Sequence, residues 1–372
     1  MLIAGDLYDG EQTSMKTARF LADQLRRLDE AGIQTFIIRG NHDALSKITQ
    51  ELVLPAGVKL YRGRAEAVTI ERTRGDVPIT IHGLSFAKPQ APESLLPGYR
   101  PPLADAVNIG LMHTSLAGAP GHDVYAPSSL ADLQAHGFDY WALGHIHLRA
   151  AHAGTATVVM AGMPQGRDIN EAGPKSVSLV TVLDDRSIRV EERLTSIAEF
   201  RRVAVDASGL SEWPDLVAAI GRALRAARTE TRSPHLVARL EIAGATPLAW
   251  RMRRDADLLK AEADLAAAGL GDAHVEKLVL GVDNPALTAG EGADPLVELA
   301  RLVESEVLGS AGYRATLGEW AGQLRGQLPS ELRDLLGIDE EAAARLMEAL
   351  AADGAEDVLA RLQADAPAGD AG

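Results

Sequence analysis

Four short stretches carry the side chains best suited to chemistry: Gly5-Asp6-Leu7-Tyr8-Asp9, Gly40-Asn41-His42-Asp43, Met112-His113-Thr114 and Gly144-His145-Ile146-His147. Their carboxylates, amide oxygen and imidazoles are hard or borderline donors that together suit Mn²⁺, Fe²⁺ or Zn²⁺. The sequence has no cysteine, which excludes thiolate nucleophiles, disulfides and zinc ribbons. Taken singly, each residue has a plainer explanation: Asp9 or Asp43 caps a turn, and a lone histidine is a surface or hydrogen-bonded group. The placement argues otherwise. Each stretch directly follows a β-rich run, namely MLIAG, QTFIIRG, NIGLM and DYWALG. In an α/β fold the C-terminal ends of such strands converge on one edge, where ligands bind.

From Met1 to about Ser196, β-rich runs alternate with helical spacing, including a helix expected near Ser14 to Ala31. VKLYRG, PITIHGLSF, TVVMAG and SVSLVTVLD supply further strands, and the Pro-rich stretch from Lys88 to Asp105 reads as a surface loop. Residues 197–284 read strand, helix, strand, helix, strand, a small α+β module. Residues 285–372 form an amphipathic helical tail with an Ala/Gly/Asp-rich end expected to be disordered. No internal repeat is present. The chain's 372 residues, 46% of them hydrophobic, suffice for more than one core.

The formal charge of −15 argues at first against a nucleic-acid partner. Its distribution softens that argument. Residues 285–372 hold 17 acidic and 6 basic residues, a net of −11, which leaves −4 for residues 1–284. Between Arg222 and Lys260 nine basic residues stand against four acids, an excess able to track phosphates. Arg222, Arg225, Arg251, Arg253 and Arg254 are the candidate DNA contacts, and a solvated helix face is the alternative. No run is long and apolar enough to span a bilayer, and no signal peptide is recognisable, so a cytoplasmic location is expected.

Gly-Asp-x-x-Asp, Gly-Asn-His-Asp, a strand-end His and Gly-His-x-His, once each and in this order, resemble the calcineurin-like metallophosphoesterase superfamily. The resemblance implies an α/β fold: a layered β-sandwich flanked by helices, here followed by the α+β module and the helical tail. It implies two divalent ions, with Mn²⁺ the expected pair and Fe²⁺ or Zn²⁺ as alternatives. Asp6 would bridge them, Asn41, His113 and His145 would complete one site, and His147 would bind the other. Two ions about 3.5–4 Å apart clamp a phosphate and activate a water for in-line attack. His42 would act on the leaving oxygen as an acid, oriented by Asp43. His122, in the loop after His113, reads as a structural residue, with substrate contact as the alternative.

The stretches HTSLAGAPGHDVYAPSSLADLQAHGFDYWALGHIHLRA and VVMAGMPQGRDINEAGPKSVSLVTV resemble the DNA-repair exonuclease branch, whose nuclease subunits of SbcD or YhaO type work with an SMC-like ATPase. On that resemblance the module at 197–284 is a DNA-capping domain, DNA and an SMC-like ATPase are the partners, and a homodimer is a further alternative. The acidic tail is expected to be dispensable for cleavage and needed for a protein partner. Family members reach Gly-Asp-x-x-Asp only after a strand ending in Asp-x-His, and no Asp-x-His stands at a strand end here. The expectation is a start codon assigned too late, with two ligands of the His147 metal missing and poor nuclease activity for residues 1–372. The competing functions are a metallophosphoesterase for small phosphodiesters or phosphoproteins, and a non-catalytic binding subunit with an incomplete metal site.

Overall fold

The computed structural model describes residues 1–8, 14–44, 53–70, 77–116, 125–288, 295–337 and 339–362. Asp9 and His122 lie outside the described residues. The chain divides into two compact units, one of residues 1–167 with 173–197 and the other of residues 168–172 with 198–372.

In the first unit β1 (Leu2–Ala4), β2 (Thr35–Ile38) and β3 (Val58–Leu60) form a parallel sheet in that order. Helix α1 (Met15–Glu30) connects the first two strands. Its N-cap is Ser14, whose hydroxyl accepts the Lys16 N–H at 3.3 Å, and it buries Ala18 and Leu25, two turns apart. The larger sheet contains β4 (Glu66–Ile70), β5 (Ile79–Gly83), β6 (Val107–His113), β7 (Tyr140–Gly144), β8 (Ala150–His152) and β9 (Thr157–Met160), in the order β4-β5-β6-β7-β9-β8. Strands β5, β6, β7 and β9 run parallel, while β4 and β8 pair antiparallel at the edges. All seven residues of β6 are buried, as expected of a strand covered on both faces.

Phe36 and Ile38 from the small sheet, with Tyr61 directly after β3, share a core with Ile81, Ile109, Leu111 and Val159 from the large one. The hairpin of β10 (Ser176–Val182) and β11 (Ile188–Leu194) adds Val180, Val182, Ile188 and Val190 to that core. On the opposite face of the large sheet, Trp141, Leu143 and Met112 pack with Leu133 of helix α2 (Leu130–Ala135), Tyr99 and Phe138. Two sheet layers therefore face one another, with helix and loop outside. Parallel β1, β2, β6 and β7 deliver their C-terminal ends to one rim.

In the second unit β12 (Ala198–Asp206), β13 (His235–Ala245) and β14 (Ala273–Asp283) are parallel neighbours in that order. Helix α3 (Trp213–Glu230) crosses from β12 to β13, and α4 (Ala249–Arg254) and α5 (Ala256–Ala268) cross from β13 to β14. The strand and helix content of this module is therefore arranged as two βαβ crossovers. Buried residues of α3 fall at 213, 216, 220, 224 and 227, the spacing of one helical face. They meet Leu236, Ala238, Leu240 and Ile242, which alternate along β13.

The tail belongs to this second unit. Helices α6 (Pro295–Leu302), α7 (Ala311–Gln327) and α8 (Glu340–Leu362) are joined in part by a π-helical turn at Val303–Leu308. Trp250 of α4 is buried against Val297, Ala300, Leu359 and Ala360, and its indole N–H donates to Glu356 at 3.0 Å. Among the described residues, no helix is long and apolar enough to cross a membrane.

Candidate metal centre

Three loops and one strand end build the site. Directly after β1, Gly5 and Asp6 adopt positive φ angles of 91° and 52°, which swing the Asp6 carboxylate back over the strand end. His145, just beyond β7, sits at φ 106°. A non-glycine residue in the left-handed region costs on the order of 1–3 kcal/mol, a strain that concentrates at functional sites. Two glycines make the crowding feasible. A Cβ at Gly40 would strike the Asp6 carboxylate and the His113 ring, and one at Gly144 would strike the Ala4 carbonyl.

His113, wholly buried at the last position of β6, is the hub. Its Nδ1 lies 2.8 Å from the Ala4 carbonyl, an acceptor, so Nδ1 carries the proton and Nε2 faces the site. That Nε2 lies 2.9 Å from Asn41 Oδ1 and 3.2 Å from Asp6 Oδ2. Ligand atoms of Asp6, His113 and His145 all lie within 4.8 Å of one another. Electron-pair donors crowd one point, and a cation is the charge that satisfies all of them. The donor set of carboxylate, amide oxygen and two imidazoles fits a borderline divalent ion.

The structure thus gathers Asp6, Asn41, His113 and His145. Among the described residues, His147 does not join the Asp6, His113 and His145 group; it lies half-buried on the turn after β7. His42 is exposed, and its backbone N–H donates to Asp6 Oδ1 at 3.0 Å. Asp43 is wholly buried and accepts the Gly40 N–H at 2.6 Å and the Leu7 N–H at 3.2 Å. It ties the two ligand-bearing loops together. Burial raises its carboxyl above the usual range, against the pull of those two N–H groups.

The arginines divide. Arg251 lies over the Trp213 ring at 4.7 Å with its Nε 3.5 Å from Asp255. Arg253 pairs with Asp353 at 2.6 Å, and Arg254 with Asp255 at 2.8 Å. Each of these three has a partner within the unit, and Asp255 is shared by Arg251 and Arg254. Arg222 and Arg225 are exposed on α3, without an ion pair among the described residues.

Two aromatic neighbours of the ligands had no signal in the residue pattern. Phe86 meets the His113 ring edge-on at 5.4 Å, and Tyr125 meets the His145 ring edge-on at 5.5 Å. Only the nonlocal approach of their loops brings them there.

Residues 1–149 match the model of the calcineurin-like phosphoesterase family, and residues 200–283 match that of the middle domain of the metallophosphoesterase YhaO. The uncharacterized metallophosphoesterase YhaO of Bacillus subtilis is 37% identical over 186 residues, 49% of this chain and 45% of that protein. The DNA double-strand break repair protein Mre11 of Methanopyrus kandleri is 25% identical over 162 residues, 40% of this chain and 35% of that protein. Both matches thus span less than half of the relative's length. The crystal structure of TT1561 of Thermus thermophilus covers 51% of this chain and 84% of its own, at 18% identity and a TM-score of 0.30. Residues 1–149 thus form a calcineurin-like phosphoesterase domain, and a middle domain of the type found in the metallophosphoesterase YhaO follows at residues 200–283.

Proposed function

We propose that this metallophosphoesterase is a DNA nuclease, dependent on divalent metal and best served by Mn²⁺. The observation that carries the reading is the meeting of Asp6, Asn41, His113 and His145 at one point on the strand-end rim, with His42 tethered beside them through Asp6. When bound, the metal supplies Lewis acidity toward a phosphoryl oxygen and an activated water. The chain's own residues do the rest. Asp6 and Asn41 present oxygens, His113 is locked in one tautomer by Ala4, and the exposed His42 imidazole stands at the mouth to protonate the departing oxygen.

DNA as the substrate class draws support from the name of the Methanopyrus relative and from exposed Arg222 and Arg225 on the YhaO-type middle domain. An SMC-like ATPase is the proposed partner. The tail offers it an apolar groove of about 570 Å³, lined by residues such as Leu299, Leu317, Trp320, Leu350 and Val358. Large apolar patches left open to solvent mark interaction sites.

The test is cleavage of linear duplex DNA with Mn²⁺, beside bis(p-nitrophenyl) phosphate and cyclic nucleotides, with EDTA as the blank. The expected result is EDTA-sensitive DNA cleavage that unlabelled DNA competes away and cyclic nucleotides do not. Turnover of the small esters with DNA untouched would transfer the function to small phosphodiesters. A chain that binds metal and DNA yet turns over nothing would make it a binding subunit.

A further inference from the structure

Tyr125 belongs to no ligand motif, yet the structure invests heavily in its position. Its ring meets the His145 ring edge-on, centroids 5.5 Å apart and planes at 73°. His145 in turn meets His113 at 5.0 Å and 68°, and Phe86 closes the far end against His113 at 5.4 Å and 89°. The two imidazoles thus sit between two aromatic rings. Tyr125 and Phe86 also share one small cluster with Ala44, Ala91 and Ala126.

The backbone around Tyr125 is clamped to the strand end that carries His113. Ser115 N–H donates to the Tyr125 carbonyl at 2.8 Å, and the Tyr125 N–H donates back to Ser115 Oγ at 2.9 Å. Thr114 Oγ1 donates to the Ala126 carbonyl at 2.7 Å, and Ala126 N–H donates to the Ala91 carbonyl at 2.5 Å. Ala126 is wholly buried and held at φ 42°, a conformation that alanine adopts only when its surroundings enforce it. The same strand end reaches the His145 loop, because Thr114 N–H donates to the Gly144 carbonyl at 3.2 Å. One rigid corner therefore fixes both the ligand and the ring beside it.

We propose that Tyr125 is a positioning residue of the metal centre, whose ring holds the His145 imidazole in its ligating orientation. His145 occupies a strained backbone conformation, so its side chain gains from a neighbour that limits rotation about Cβ. An edge-on ring does so by contact, in a geometry that aromatic pairs favour. Groups that orient metal ligands typically change affinity by about 10–100-fold when removed. The inference rests on the reading that Asp6, Asn41, His113 and His145 hold a metal.

The test is Mn²⁺ titration by calorimetry on the full chain, comparing wild type with Tyr125→Phe, Tyr125→Leu and Tyr125→Met, each checked by thermal melting in EDTA. Tyr125→Phe keeps the ring and is expected to bind within about twofold of wild type. Tyr125→Leu and Tyr125→Met keep apolar volume without a ring and are expected to bind about tenfold more weakly, with melting unchanged. Wild-type affinity in the Leu and Met variants overturns the proposal, as does a loss in Tyr125→Phe equal to theirs, which would assign the role to the hydroxyl. Loss of cooperative melting in both Leu and Met variants also overturns it, because the ring would then be core packing. Absence of Mn²⁺ binding by the wild type would sink the metal centre itself, a distinct outcome.

Discussion

His113 Nδ1 and the carbonyl oxygen of Ala4 lie 2.8 Å apart although 109 residues separate them in the chain. The bond joins the end of β6 to the end of β1, one strand from each layer, and leaves His113 Nε2 facing Asp6 and Asn41. The two sheets and the metal centre are thus held by the same imidazole. Replacing His113 with Gln is expected to abolish Mn²⁺ binding and also to lower the melting temperature in EDTA. Retained Mn²⁺ affinity in that variant would exclude His113 as a ligand.

His42 touches the site through its backbone and presents an exposed ring. His42→Ala is expected to lower phosphodiester turnover by about 10²–10⁴-fold, roughly 3–5 kcal/mol of barrier, while Mn²⁺ affinity stays near wild type. Metal binding measured beside turnover separates the two effects. A parallel loss of both would make His42 a structural or ligating residue.

Glycines in this chain do opposite things in different places. Gly144→Ala would drive a Cβ into the Ala4 carbonyl and is expected to cost about 1–3 kcal/mol, the usual range for forced overpacking. Gly318 and Gly322, exposed within α7, have nothing within 4 Å of an added Cβ. Alanine at each is expected to stabilise the helix by about 0.5–1 kcal/mol. Chemical denaturation of the three variants decides both signs.

His82 is buried on the face of the large sheet away from the small one, stacked on Phe138 at 4.2 Å and bonded through Nε2 to Asn108 Oδ1 at 2.9 Å. Burial holds its pKa below the usual imidazole value against the pull of Asn108, and the neighbouring His136 and Arg100 lower it further. The unfolded chain therefore takes up a proton at higher pH than the folded one. The His82 contribution is complete above about pH 6.5 and is lost as pH falls toward the folded pKa. Melting curves from pH 8 to 5.5 should show a smaller fall for His82→Gln than for wild type. Equal slopes would remove His82 as a source of the acid sensitivity.

The tail covers Trp250 and pairs Arg253 with Asp353, so it serves the unit's own core besides any partner. Deleting residues 294–372 is expected to expose Trp250 and lower the stability of the second unit. Leu359→Ala, a milder probe of a side chain only 4% exposed, should cost about 2–5 kcal/mol. Trp250 fluorescence during unfolding reports it. A deletion variant as stable as the full chain would show that the tail is an appendage.

The residue order alone was enough to locate the site. Asp6, Asn41, His113 and His145 each follow an apolar run, and such runs become parallel strands whose ends share a rim, a local consequence of hydrophobic period and residue type. The strand and helix order of the second unit was equally legible, because the α3 spacing and the β13 alternation are written in consecutive residues, whereas the parallel pairing that makes it two βαβ crossovers was not. Tertiary structure decided the rest. Local pattern cannot say how closely side chains approach once loops meet, so the gathering of the Asp6, His113 and His145 ligand atoms within 4.8 Å of one another appeared only in three dimensions. The same holds for Asp43, whose carboxylate accepts the Leu7 and Gly40 N–H groups. That Trp213, Asp255 and Asp353 stand beside Arg251, Arg253 and Arg254 is likewise a product of the fold. Tyr125 carried no signal, since the contact that gives it meaning is made across a fold in which His145 lies 20 residues further on.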